Sequence, residues 1–256
     1  MASALIGHTG FVGGNLKAQH SFDFHFNSSN IADIRGQSFD LVVCAGINAV
    51  KYLANKEPEA DWQRIEGLLN HLETVQAKRF FLISTVDVYP PPVAGDESSP
   101  IVPGHPYGLH RYRVEEWVAK RFPSTYVMRL PGLFGDGLKK NVIFDLMHNR
   151  QDMMETMNPD CRFQYYCLDR VWADAERQME KNISVLNVAT EPVSTGEIVS
   201  RFFPQAVIGQ KAGGVIVYDF RTIHDAAWGG SGGYLYSKEQ VLGDLGAWLS
   251  RQSLSA

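Results

Sequence analysis

The chain has 256 residues, 45% of them hydrophobic and 20% charged, with 24 Lys and Arg against 28 Asp and Glu and a formal net charge of −4. That length suits one α/β domain with a full core and falls short of two independent enzyme-sized domains. Mild acidity without a Lys/Arg block argues against nucleic acid or an anionic membrane as the main partner, because both require concentrated positive charge.

Cys44, Cys161 and Cys167 are odd in number and lack ligand spacing, so neither a disulfide framework nor a zinc site is expected. A cytoplasmic setting fits the cysteine usage. No apolar run reaches the roughly 20 residues that cross a bilayer, and no basic-then-apolar signal pattern opens the sequence.

Apolar runs at Ala4 to Ile6, Phe22 to Phe26, Leu41 to Ala45, Phe80 to Ile83 and Tyr126 to Met128 predict short strands buried on both faces. Between them, Trp62, Ile65, Leu68, Leu69, Leu72 and Val75 form one stripe on a helix entered through Glu57-Pro58. The alternation predicts right-handed βαβ units and a Rossmann-type, doubly wound parallel sheet in about the first 130 residues. Further strands are expected near Phe163 to Cys167, Val185 to Val188 and Val215 to Val217. With no linker between the halves, the expectation is a single domain over 1–256. Residues 132–183 and 205–237 elaborate it.

The first predicted strand runs directly into Gly7-His8-Thr9-Gly10-Phe11-Val12-Gly13 and a helical segment. Glycines here permit a sharp turn and close backbone approach, and the helix N-terminus receives an anion, so the spacing reads as a pyrophosphate turn. The alternative is an ordinary strand-to-helix turn. After the second strand come Asn27, Ser28, Ser29 and Asn30, where an NAD-binding acid would stand. These small polar residues, with Arg35 nearby, suit a 2′-phosphate and favour NADP over NAD. A polar surface loop is the competing reading.

Ser84-Thr85-Val86-Asp87-Val88-Tyr89 emerges from the fourth predicted strand, at the end that faces the ligand crevice in open parallel sheets. Tyr107 and Arg111 are four apart on a helix and therefore share a face. At these residues the chain resembles the extended short-chain dehydrogenase/reductases, in particular the NAD(P)-dependent epimerase/dehydratase group that acts on nucleotide sugars. The glycine turn, the S-T-x-x-V-Y strand end, the Y-G-x-x-(basic)-x-x-x-E helix and Arg129-Leu130-Pro131-Gly132-Leu133-Phe134-Gly135 occur in family order. Asn187-Val188-Ala189 and Val193-Ser194-Thr195-Gly196-Glu197 extend the likeness.

The resemblance implies that Tyr107 is the general acid/base, exchanging a proton with a sugar oxygen while the nicotinamide exchanges hydride. Thr85 is implied as the hydroxyl partner that contacts the reacting oxygen, and Gly46 as a residue of close cofactor approach. Arg111 stands where the family has a lysine that lowers the tyrosine pKa and binds the nicotinamide ribose. Asp87 matches an acidic position of the dehydratases and reads either as a base beside a keto group or as a turn cap. Among C-terminal cations, Arg221 is the candidate for a substrate anion, against a surface salt bridge. Gly229 to Gly233 is a flap or an exposed loop. His8, His20, His71 and His110 read as surface or packing residues.

The expectation is an NAD(P)-dependent oxidoreductase, epimerase or dehydratase acting on a sugar or nucleotide sugar. The alternative is an NAD(P)-binding regulatory or scaffold protein with weak or no turnover. By resemblance, the helices of Trp62 and Trp117 form a homodimer.

Overall fold

A computed structural model describes residues 2–90 and 95–253. In chain order the elements are β1 (Ser3–Ile6), α1 (Phe11–Gln19), β2 (Phe24–Phe26), β3 (Ser38–Cys44), α2 (Lys51–Lys56), α3 (Pro58–Leu72), β4 (Gln76–Thr85), α4 (Pro106–Arg121) and β5 (Thr125–Leu130). Then follow β6 (Gly132–Phe134), α5 (Val142–Met147), α6 (Gln151–Met154), β7 (Arg162–Phe163), β8 (Tyr165–Cys167), α7 (Val171–Glu180), β9 (Val185–Asn187), β10 (Val193–Ser194), α8 (Thr195–Phe202) and α9 (Lys238–Ser253).

The chain divides into two compact units. One comprises Met1–Pro91, Ser99–Leu130 and Asp169–Asn187, and the other Pro92–Ser98, Pro131–Leu168 and Val188–Ala256. The first holds a six-stranded parallel sheet in the order β2-β1-β3-β4-β5-β9. This is the doubly wound, Rossmann-type sheet expected from the alternating pattern, with the order reversing between β1 and β3. Val42, Cys44, Phe80, Leu82 and Val127 form the sheet's part of one core cluster, with Ile65, Leu69 and Leu72 of α3 and Val114 and Val118 of α4. The periodic stripe thus buries the α3 face that the sequence marks, and Pro58 opens the helix where its missing N–H costs nothing.

The second unit is built from smaller pieces. Here β7 pairs antiparallel with β10, and β6 pairs parallel with β8. Val215 to Val217 departs from expectation. It makes a single bridge from Val217 to Arg162 and leaves Val215 and Ile216 exposed, so an apolar run without a covering layer does not become a sheet strand. The Gly229 to Gly233 run is tied down: Gly230 N–H donates to the Asp225 carbonyl at 2.9 Å and Gly233 N–H to Asp225 Oδ2 at 2.8 Å.

In the first unit, one buried polar network joins α4 to the sheet. Arg129 of β5 donates to Glu115 of α4 through Nη2 at 2.6 Å and Nε at 3.1 Å, and Ser84 Oγ donates to Glu115 at 2.5 Å. Arg129 Nη1 also donates to Tyr89 Oη at 2.7 Å, which accepts from Asn187 Nδ2 at 3.1 Å. Both charged side chains are about 95% buried, so removing one leaves the other uncompensated. Glu115→Ala is expected to lower unfolding free energy by about 3–5 kcal/mol in denaturant titration. A loss below about 1 kcal/mol would show that the pair does not hold the helix.

Candidate functional site

The glycine turn folds tightly, and two of its glycines are sterically obligatory. Gly7 has φ +85°, and a Cβ there would lie 2.6 Å from the backbone of Ala45 and Gly46 at the end of β3. At Gly13 a Cβ would lie 2.1 Å from the Gly7 carbonyl oxygen. The helix begins at Phe11, earlier than the sequence pattern suggests, so Gly10 is its N-cap and Phe11, Val12 and Gly13 form its first turn. Their N–H groups are those a helix leaves without an internal partner, and no acidic residue competes in that turn. Thr9 sits in the turn itself, before the N-cap.

Beyond β2, the polar residues satisfy one another. Asn27 N–H donates to Asn30 Oδ1 at 2.8 Å, Ser29 N–H and Oγ donate to Asn27 Oδ1 at 2.9 and 2.6 Å, and Ser28 is exposed. Arg35 donates from Nε to His71 Nδ1 at 3.0 Å, so its guanidinium points to α3. No carboxylate stands at Asn27 to Asn30.

At the end of β4, Thr85 accepts the Asp87 N–H at 3.1 Å and caps the 3-10 turn Val86–Val88. The cap is therefore Thr85 and not Asp87. The first turn of α4 packs onto this corner so closely that a Cβ on Gly108 would meet the Asp87 carbonyl oxygen at 2.1 Å. Glycine after Tyr107 is what allows the phenol to come beside Thr85 at the strand end. Burial raises the Tyr107 pKa to about 12, with Asp87 and Asp61 adding to the rise and Arg111 and the Thr85 hydroxyl only partly opposing it.

Arg111 does not reach outward as the family lysine is implied to do. Its guanidinium carbon lies 4.0 Å over the Tyr107 ring, and its terminal nitrogens are taken. Nη1 donates to Asp61 Oδ2 at 2.5 Å and to the Tyr107 carbonyl at 3.3 Å, while Nη2 donates to Asp61 Oδ1 at 3.1 Å and to the Asn48 carbonyl. His110 Nδ1 bonds the same carboxylate at 2.8 Å. Burial pushes the Asp61 carboxyl up, but the hydrogen bonds from Arg111 and His110 outweigh it and hold the pKa below its ordinary value.

Asp87 meets a second cation, Lys51 Nζ of α2, at 2.7 Å. Four residues along the same helix face, Asn55 Oδ1 accepts the Tyr107 N–H at 2.9 Å. His105 caps α4 by accepting the Gly108 N–H on Nδ1 at 3.0 Å. Its pKa is lowered, first by burial and then by the Lys51 charge.

Sequence reading missed Asp61, Lys51, Asn55 and His105. Asp61 looks like an ordinary acid in a helix first turn, and the others carry no local motif. Only His105, one residue before Pro106 and three before the Gly108 N–H, shows a capping pattern that could have been read.

Tyr107, Thr85, Asp87, Arg111 and the glycine turn with Gly46 all lie in the first unit, at the carboxyl ends of adjacent parallel strands or on the helix packed there. Arg221 lies in the second unit. There its Nη2 donates to Asp219 at 2.7 Å, Nη1 donates to the Gly232 carbonyl at 2.5 Å, and the guanidinium stacks 4.1 Å over Tyr234. Cys44 is a buried thiol whose pKa burial raises to about 11, which removes it as a nucleophile. Among the described residues, no three His, Cys, Asp or Glu side chains form a metal-binding group, and no helix is long and apolar enough to cross a membrane.

The residues present fit a dinucleotide. At Gly7 and Gly13 a Cβ would strike backbone, so the tight turn that presents the first N–H groups of α1 depends on glycine. Two buried donors, Arg111 Nε and His105 Nε2, have no protein partner. Gly13→Ala is expected to weaken NADH and NADPH binding alike by at least about tenfold in fluorescence titration, since both share the pyrophosphate contact. An unchanged Kd would reject the cradle.

Comparison with known proteins agrees with this architecture. Solved structures of like fold include TunA, an NAD-dependent NDP-hexosamine 5,6-dehydratase involved in tunicamycin biosynthesis (TM-score 0.75, 16% identity, 98% of each chain covered). They also include a dTDP-4-dehydrorhamnose reductase of Clostridium acetobutylicum ATCC 824 (TM-score 0.74, 13% identity, 99% of this chain and 100% of the other). A third is RMD of Pseudomonas aeruginosa complexed with NADPH (TM-score 0.73, 18% identity, 98% and 100%). No curated protein matches the chain in sequence. The profile of one family matches residues 25–152, half of the chain, and takes in the strand end, Tyr107 and Arg111: the chain belongs to the NAD dependent epimerase/dehydratase family.

Proposed function

We propose that the protein is an NAD(P)-dependent oxidoreductase acting on a nucleotide-linked sugar, with Tyr107 as proton carrier and Thr85 as its hydroxyl partner. One observation supports this above the others: Thr85 and the Tyr107 phenol meet at the carboxyl end of β4, on the sheet edge that also carries the glycine cradle. The bound nicotinamide supplies or accepts the hydride. Tyr107 exchanges a proton with the sugar oxygen, and Thr85 orients that oxygen. Gly7, Gly10 and the first turn of α1 would hold the pyrophosphate, and Gly46 at the end of β3 would permit close approach of the cofactor. Asp87, a partly buried carboxylate paired with Lys51, stands as the base for a second proton at a carbon beside a keto group.

Tyr107→Phe is expected to reduce sugar-coupled turnover of NAD(P)H by about 10²–10⁴-fold while leaving cofactor Kd within about twofold. An unchanged rate rejects the acid/base role. NADPH is the proposed cofactor, because no carboxylate at Asn27 to Asn30 repels a 2′-phosphate. Tighter binding of NADH in a paired titration overturns that preference.

A second reading is a cofactor-binding protein with little turnover, favoured by the capture of Arg111 by Asp61. Arg111→Lys separates the two: a marked gain in redox activity indicates a hampered enzyme. Inactivity of both forms on a nucleotide-sugar panel, with cofactor still bound, supports the binding role.

A further inference from the structure

Among the described residues Arg111 is the one cation over the Tyr107 ring, and it is not available as a free charge. The carboxylate of Asp61 meets both terminal nitrogens, backbone carbonyls of Asn48 and Tyr107 take their remaining N–H groups, and only Nε–H is left. Both side chains are 4% exposed, so water does not screen one from the other. At the phenol Asp61 opposes the Arg111 charge, and together with Asp87 and burial it leaves the tyrosine above its ordinary range despite the cation on its ring. The guanidinium also lies on the ring face and so acts on the π system, away from a direct contact with the oxygen.

Other groups around Tyr107 do not replace the missing charge. Thr85 and Asp87 face it from the end of β4, Asp61 from α3, and His105 from its own helix, with ring centroids 6.2 Å apart. Lys51 of α2 is neutralised by Asp87, and His110 is directed to Asp61.

We propose that Asp61 is a positioning residue which, by capturing Arg111, keeps Tyr107 a proton donor and so suits the site to reducing a keto group in preference to oxidising a hydroxyl. In that direction the carbonyl carbon takes up the hydride that a reduced nicotinamide would give, the nicotinamide being oxidised, while the phenol O–H bond breaks and its proton goes to the carbonyl oxygen to give the hydroxyl. The phenolate left on Tyr107 then recovers a proton from solvent. Oxidation demands the reverse: a phenolate before the step begins, which burial opposes, with the paired Arg111 only partly offsetting it. This rests on the acid/base reading of Tyr107.

The test is ¹³C NMR of protein labelled at tyrosine Cζ, with the Tyr107 signal assigned by its absence in Tyr107→Phe. Wild-type Tyr107 is expected to titrate above the ordinary tyrosine range. Asp61→Asn, which frees the Arg111 charge, should lower the midpoint by at least about one pH unit, a tenfold rise in phenolate at fixed pH, and Asp61→Glu should restore it. Because Asp61→Asn leaves a buried cation unpaired at a cost to folding, a second variant, Asp61→Leu with Arg111→Met, removes both charges together. This double variant should leave the midpoint within about half a unit of wild type.

A midpoint unmoved or raised in Asp61→Asn overturns the proposal. So does a rise of more than about one unit in the double variant, since that would mean Arg111 had acted as a free cation. In activity assays, NADPH-driven reduction of UDP- and dTDP-linked 4-keto-hexoses should stay level from about pH 6 to 9, and a wild-type decline through that range counts against it. Full turnover in Tyr107→Phe would instead defeat the acid/base reading, while the titration would still decide what Asp61 does.

Discussion

The buried contact between Glu115 and Arg129 governs the geometry of the first unit, because it sets the register of the helix that carries Tyr107 and Arg111. Glu115 lies two turns beyond Tyr107 on α4, and Arg129 holds it against β5 while Ser84 fixes it to β4. The same arginine fixes Tyr89, at the far side of the 3-10 turn that follows Thr85. One guanidinium therefore sets both the helix and the strand end whose meeting point is the site. Such a pair adds little net stability compared with apolar packing, yet is strongly destabilising to break, so its effect is to select one arrangement.

Charge pairing continues through the site. Each cation near the tyrosine has its own carboxylate: Arg111 has Asp61, and Lys51 has Asp87. The region is consequently close to neutral before any ligand enters, and the phenol feels burial more than it feels a neighbouring charge. A lysine at position 111 would present a compact ammonium on a flexible stem. Arginine instead presents a planar fork whose donors match one carboxylate, and Asp61 fills that fork.

The second unit shows how local pattern and context diverge. Arg221 lies near the end of an apolar run, as an anion-binding residue should, yet its charge is matched by Asp219 two residues earlier. Val215 to Val217 has β-branched composition but only one bridge to a neighbour, so strand propensity alone did not build a strand. The glycines at 229 to 233 are held in place by Asp225, a residue that composition does not connect with them.

Much of the first unit was legible from local rules. Strands buried on both faces read as continuous apolar runs, the stripe from Trp62 to Val75 marks a helix face, and the glycine spacing marks a turn where a side chain would strike backbone. Tyr107, Thr85 and Arg111 could be named because their spacing on one helix and their place at a strand end are properties of the chain. What those residues are able to do was not legible. Asp61 is fifty residues from Arg111, and Lys51 thirty-six from Asp87, so no periodicity links them. Strand ends and helix spacing mark Thr85, Tyr107 and Arg111 along the chain, whereas Asp61, Lys51, Asn55 and His105 join them through folding alone. Folding also sets how these groups are charged, because a pKa depends on whatever lies within a few ångströms and on how much water is removed.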